Sequence, residues 1–129
     1  MVHMPKILVV DDSPTSSLFM VQALGKGGYH VITAANGREG WIKALQERPQ
    51  CVLLDVVLPE ISGFSLCRQL RSIDPHRTLA IIIVSSKGTA MDRNWGLRQG
   101  ADRYLPKPFT EEALLQVVGE VLAERYPVK

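Results

Sequence analysis

Five short, nearly uninterrupted apolar runs set the frame of this chain: ILVV (7–10), HVITA (30–34), CVLLD (51–55), LAIIIVS (79–85) and the weaker DRYLP (102–106). Each has the length of a strand, and they are nearly all apolar rather than alternating. Strands of this kind are covered on both faces, which is the pattern of a parallel sheet between two layers of helices. The segments between them carry helical patterns. SPTSSLFMVQALGKGG (13–28) offers Ser13 as a cap, Pro14 at the first helical position, and Gly25, Gly27 and Gly28 as terminators. Asn36-Gly37 reads as a turn, and 38–47 places Trp41, Ile42, Ala44 and Leu45 at helical spacing. Further helices are predicted over 64–72 and 89–99. A last one, capped by Thr110 with Glu111 and Glu112 behind it, runs to about 125.

Strands and helices in strict alternation predict an α/β fold, a doubly wound five-stranded parallel sheet of the flavodoxin kind. Right-handed crossovers limit the topology, and the commonest five-stranded order is 2-1-3-4-5. The length of 129 residues favours one domain spanning 1–129. Apolar residues make up 46%, enough for a core, and the formal charge of +2 argues for neither a nucleic-acid nor a membrane partner. No apolar run approaches the ~18 residues of a transmembrane helix. The start, MVHMPK, lacks the apolar stretch of a secretory signal; its second Met reads as a cloning scar or an alternative start. Cys51 and Cys67 lack metal-ligand spacing and read as buried thiols in a reducing compartment. The expected location is the cytoplasm.

Ligand chemistry in such a fold sits at the carboxyl ends of the strands, beside the point where strand order reverses. The first run ends in Asp11-Asp12, the third in Asp55, the fourth in Ser85-Ser86, and the fifth leads to Lys107. In the order 2-1-3-4-5 the first and third strands are neighbours. Three carboxylates therefore share a crevice with a hydroxyl and one ammonium. Like charges at close range repel unless one is protonated or a cation intervenes. A hard dication such as Mg2+ removes the conflict and brings phosphate oxygens with it. The set matches in-line phosphoryl transfer to a carboxylate. Each residue also has a plainer reading. Asp12 could cap a helix, Asp55 could start a turn, Ser85-Ser86 could end a strand, and Lys107 could be an exposed loop residue.

VVDDS, LLDVVLPEISG, VSS and YLPKPF resemble the acidic pair, phosphoacceptor loop, hydroxyl position and Lys-Pro segment of response-regulator receiver domains. The separations, 30 residues from Asp55 to Ser85 and 22 from Ser85 to Lys107, are similar to those of chemotaxis regulators of the CheY type. RNWGLRQGADRYLPKPFTEEALL is further similar to twitching-motility regulators of the PilH/PilG type. The resemblance implies that Asp55 is the phosphoacceptor. It implies Mg2+ ligation by Asp12, by Asp11 directly or through water, by Asp55, and by the backbone carbonyl of Val57. Ser85 and Tyr104 fall at the switch positions, Lys107 at the phosphate-pairing lysine, and Lys107-Pro108 at a bond that is cis in the family. Two departures stand out. Val57 and Lys87, two residues after Asp55 and Ser85, replace the polar side chains that orient water in fast-dephosphorylating relatives. LPEISG replaces the commoner MPxMxG.

The function so implied is a stand-alone two-component regulator rather than an enzyme. A histidine kinase of the CheA kind donates the phosphoryl group. The face made by the fourth helix, fifth strand and fifth helix then changes shape to bind a downstream protein, in type IV pilus motility or chemotaxis-like signalling. The rivals are a receiver cut from a DNA-binding regulator, an aspartyl-phosphate phosphohydrolase, and a degenerate receiver that is never phosphorylated. Trp41 reads as partial core. Trp95, Met91, Leu97 and Tyr104 read as either core or partner surface.

Overall fold

The structure is a computed structural model and describes residues 4–74 and 78–126. Strands and helices alternate from end to end: β1 Lys6–Val10, α1 Pro14–Lys26, β2 His30–Ala34, α2 Gly37–Glu47, β3 Cys51–Asp55, α3 Gly63–Ser72, β4 Ala80–Ser85, α4 Ala90–Arg98, β5 Arg103–Pro106 and α5 Glu111–Arg125. All strand pairs are parallel, in the order β2-β1-β3-β4-β5. The doubly wound sheet expected from the apolar runs is the one observed.

The pleat divides each strand between two cores. Ile7, Val9, Leu53, Ile82 and Val84 face α1 and α5, where Met20, Leu24, Leu114 and Val118 meet them. Leu8, Val10, Val52, Leu54, Ile81 and Ile83 face the other way, against Leu66, Cys67 and Leu70 of α3 and against Trp41 and Ala44 of α2. Because both faces are sealed, every residue from Ile7 to Val10 and from Cys51 to Leu54 has no exposed surface. Truncating a leucine here to alanine costs about 2–5 kcal/mol. Both cysteines are buried. In Cys51 burial pushes the thiol pKa up to about 12, so it is inert at neutral pH.

Local signals set the helix ends. Ser13, Ser62, Thr89 and Thr110 each accept from a backbone amide three residues on. Asn36-Gly37 differs from the turn read in the sequence. Asn36 is the cap of α2, its Oδ1 accepting from the Glu39 amide at 2.8 Å, and Gly37 is already helical. Gly25 lies within α1, and Gly27 is the cap that ends it. Ile42 and Leu45 are exposed, so α2 packs through Trp41 and Ala44 alone of the four apolar positions.

The register brings the strand ends level. Val10 pairs with Leu54, Asp55 with Val84, and Ser85 with Pro106. The residues that follow β1 and close β3 and β4 therefore leave the sheet at one edge. At the opposite edge the Arg71 guanidinium donates to Gly100 O at 2.7 Å and to Asp102 Oδ2 at 2.6 Å. That same oxygen accepts from the Ile81 amide at 2.8 Å. This ties α3 to β4 and β5 and holds their register from below.

Candidate functional site

Asp11, Asp12 and Asp55 converge at the carboxyl edge of β1 and β3, each offering an oxygen within 4.8 Å of the others. They are not equivalent. Asp11 is buried; its Oδ1 accepts from the Ser13 amide at 2.9 Å and its Oδ2 from Lys107 Nζ at 3.0 Å. Asp55 sits at the floor of the crevice, its Oδ1 accepting from the Val57 amide at 3.2 Å and its Oδ2 from Lys107 Nζ at 3.2 Å. Asp12 is exposed, and among the described residues no hydrogen bond or ion pair engages its carboxylate. It is not the helix cap, because Ser13 fills that position with its Oγ accepting from the Ser16 amide at 3.3 Å.

One ammonium thus bridges two of three carboxylates. The consequences differ at its two ends. In Lys107 burial disfavours the charge, but the hydrogen bond to Asp11 and the charges of Asp55 and Asp11 outweigh it and hold the proton more tightly than usual. Burial raises the Asp55 pKa above the ordinary carboxylate value, and the Asp11 charge adds to it. Lys107 and the Val57 amide offset this only in part. The site therefore carries more negative charge than its own lysine neutralises. An all-oxygen donor set with surplus negative charge suits a hard divalent cation.

The remaining positions read from the sequence lie around this crevice. Ser85 ends β4, fully buried, and its Oγ accepts from the Lys87 amide at 3.1 Å. Lys107 follows β5, its amide donating to Ser85 O at 2.7 Å. The Lys107-Pro108 bond is cis. Tyr104 packs inward, 7% exposed, and its hydroxyl donates to the Lys87 carbonyl. Burial raises its phenol pKa, the Ser85 side chain opposes this, and the Asp92 and Asp55 charges add to it. Val57 stands exposed beside Asp55, and Lys87 is also exposed. Met91, Trp95 and Leu97 are exposed, which settles them as surface, whereas Tyr104 is core.

Two supports were not assigned from the sequence. The Ser13 amide fixes the Asp11 carboxylate, and nothing in residue type announces a backbone donor. Gly63 closes the loop after Asp55: its amide donates to Val56 O at 2.9 Å, and a Cβ there would stand 2.1 Å from Asp55 O. Only glycine lets α3 begin against the backbone of Asp55. The glycine that ends LPEISG was the available signal.

A model of the response regulator receiver domain family matches residues 7–119. Protein PilH of Pseudomonas aeruginosa is 44% identical over 120 residues, which cover 93% of this chain and 99% of that protein. The chain spans about half the length of several other curated relatives, among them the DNA-binding regulator RpaA of Synechocystis. The crystal structure of a CheY-like receiver domain protein from Methanospirillum hungatei superposes with a TM-score of 0.88 at 30% identity, covering 95% of this chain and 97% of that one. CheY in a CheX–CheY–BeF3–Mg2+ complex from Borrelia burgdorferi gives 0.85 at 28% identity, covering 90% and 87%.

Proposed function

Because the chain belongs to the response regulator receiver family, we propose that its acidic crevice is a phosphoryl switch with Asp55 as the acceptor. The observation that carries this reading is the charge arrangement. Three carboxylates lie within 4.8 Å of one another, and one lysine is placed between two of them. Asp11, Asp12, Asp55 and the backbone carbonyl of Val57 would hold Mg2+. Bound there, the cation offsets the crowded charge and screens the incoming phosphoryl oxygens. The Borrelia relative, crystallised with BeF3 and Mg2+, supports that assignment.

In the proposed reaction the donor is a phosphohistidine of a CheA-like histidine kinase. An Asp55 oxygen attacks phosphorus, the phosphorus–nitrogen bond breaks, and the electron pair returns to the imidazole. Lys107, already 3.2 Å from Asp55 Oδ2, pairs with a phosphoryl oxygen. The Ser85 hydroxyl donates to another. Ser85 Oγ holds the Lys87 amide and the Lys87 carbonyl holds Tyr104, so a shift of Ser85 passes directly to the loop before α4. The face made by α4, β5 and α5 then binds a downstream protein. The chain acts as a signalling acceptor that is modified once, not as a turnover enzyme. The receiver spans at least residues 7–119, which the family model matches. Similarity to PilH supports a place in type IV pilus motility. The described residues hold no helix long and apolar enough to cross a membrane, which agrees with a cytoplasmic site of action.

The half-length matches to larger regulators favour a second reading, a receiver of a longer DNA-binding protein. The chemistry of the crevice is the same in both. The test is intact-mass measurement after incubation with acetyl phosphate. One phosphoryl group is expected, only when Mg2+ is present, and none in Asp55→Ala. Labelling that survives Asp55→Ala places the acceptor elsewhere.

A further inference from the structure

Helix α4 seats on the sheet through a glycine. The helices α1, α3 and α5 bury leucines such as Leu24, Leu66 and Leu114, but in α4 the only buried residue is Gly96. Its apolar side chains point away from the core: Met91 is 81% exposed, Trp95 48% and Leu97 43%. What lies beneath Gly96 is the Tyr104 ring. A Cβ on Gly96 would stand 2.9 Å from Tyr104 Cδ2, 3.2 Å from Ile83 Cδ1 and 3.3 Å from Phe64 Cε1. Carbon atoms in contact sit at about 3.5–4.0 Å. The ring has little room to yield, since it is nearly buried and its hydroxyl is held by the Lys87 carbonyl.

We propose that Gly96 is a positioning residue that admits the inward Tyr104 ring and makes that ring the seat of α4. The inference rests on the reading of Tyr104 as the switch and adds the joint through which it acts. The ring sets where α4 lies, and α4 carries the exposed Met91 and Trp95 surface. A ring that swings outward leaves the helix without its support. The coupling therefore runs chiefly through the close seat of the Gly96 backbone on the ring, with Ile83 and Phe64 beside it, rather than through interlocked side chains of α4.

Intrinsic propensity gives the opposite expectation, which makes the idea testable. Alanine is the better helix former at an interior position, so Gly96→Ala alone would stabilise an isolated α4. Against the Tyr104 ring it should instead lower the urea midpoint. In the Tyr104→Ala background the same substitution should raise it. Nitration by tetranitromethane, read by peptide mass, should increase several-fold at Tyr104 in Gly96→Ala, with Tyr29 and Tyr126 as unchanged references. Asp55 labelling by acetyl phosphate should persist in Gly96→Ala. If Gly96→Ala fails to fold, adding Tyr104→Ala should restore folding, and failure to restore it overturns the proposal. A midpoint shift of the same sign in both backgrounds, or unchanged nitration, also overturns it. Labelling lost in Gly96→Ala but present in the parent would mean that Gly96 acts on the crevice instead. Should the parent itself resist labelling, the phosphoryl reading fails, while the midpoints and nitration still decide the ring-to-helix contact.

Discussion

The Lys107 ammonium lies 3.2 Å from Oδ2 of Asp55, although 52 residues separate them in the chain. The parallel register of β3, β4 and β5 closes that distance by bringing the strand ends level. The lysine is shared with Asp11, so it restrains Asp55 without neutralising the crevice. The expected behaviour of the site follows from that incomplete balance.

Of the three crevice carboxylates, Asp12 is the one that is exposed and has no partner among the described residues, so its charge is available to a cation. Asp12→Asn should leave the fold intact and weaken Mg2+ binding by roughly 10- to 100-fold, the scale set by losing groups that support a metal site. Fluorescence or NMR titration measures it. Equal affinity in the parent and the variant would remove Asp12 from the ligand set.

Asp55 should cost stability when ionised. Its folded-state pKa is raised, chiefly by burial and further by Asp11, so the folded protein binds this proton more tightly than the unfolded chain does. Stability from this group is then complete below its ordinary value and falls as pH rises through the raised one. Without Mg2+, Asp55→Asn should melt higher than the parent at neutral pH, and the gap should close on acidification. Adding Mg2+ should narrow it by stabilising the parent alone. A parent that is the more stable protein at neutral pH without metal contradicts the charge account.

How much of this was legible in sequence depended on what kind of atom carries each feature. The strands and the crevice were readable because ILVV, CVLLD and LAIIIVS are apolar on both faces, the pattern of a covered parallel sheet, in which the polar residues after each strand gather at one edge. The resemblance separated Asp12, as a direct ligand, from Asp11, as a ligand directly or through water, but residue type does not record that the Ser13 backbone amide fixes Asp11. Asn36-Gly37 reads as a turn before the helix, whereas Asn36 caps α2 and Gly37 is its first residue, because turns and helix caps use the same residue types. Trp95 stayed undecided because α4 meets the sheet at a glycine, which leaves no apolar stripe to orient the helix.

The phosphoryl lifetime should be long for a chemotaxis-type regulator. Val57 is 55% exposed beside Asp55, and its side chain has no polar group with which to orient a water. Lys87 can pair with phosphoryl oxygens in the ground state as well as in the transition state, which gives no acceleration. Replacing Val57 with Asn and Lys87 with Glu should shorten the lifetime by about 10- to 100-fold, on the order of 1.4–2.7 kcal/mol. Decay of the phosphoryl mass after donor removal reads this directly. A double variant that decays no faster would show that other groups set the rate.

The stretch of the output face from Lys87 to Lys107, around α4, should prefer acidic partners. Asp102 is tied to Arg71 and Arg125, and Arg103 to Glu124, so none of these counts toward the free charge. Lys87, Arg93 and Arg98 remain against Asp92, around the exposed Met91 and Trp95. Such a surplus chiefly raises the association rate and makes it sensitive to salt. Binding of the physiological partner that is independent of ionic strength would exclude it.

The most direct test of the central claim is to locate the phosphoryl group. The protein is labelled with acetyl phosphate and Mg2+, the acyl phosphate is reduced with borohydride to homoserine, and the converted position is found by peptide mass spectrometry. Conversion at residue 55 alone, absent when Mg2+ is chelated, is the expected result. Conversion at Asp11 or Asp12, or equal conversion at Asp55 without a divalent cation, would contradict the account.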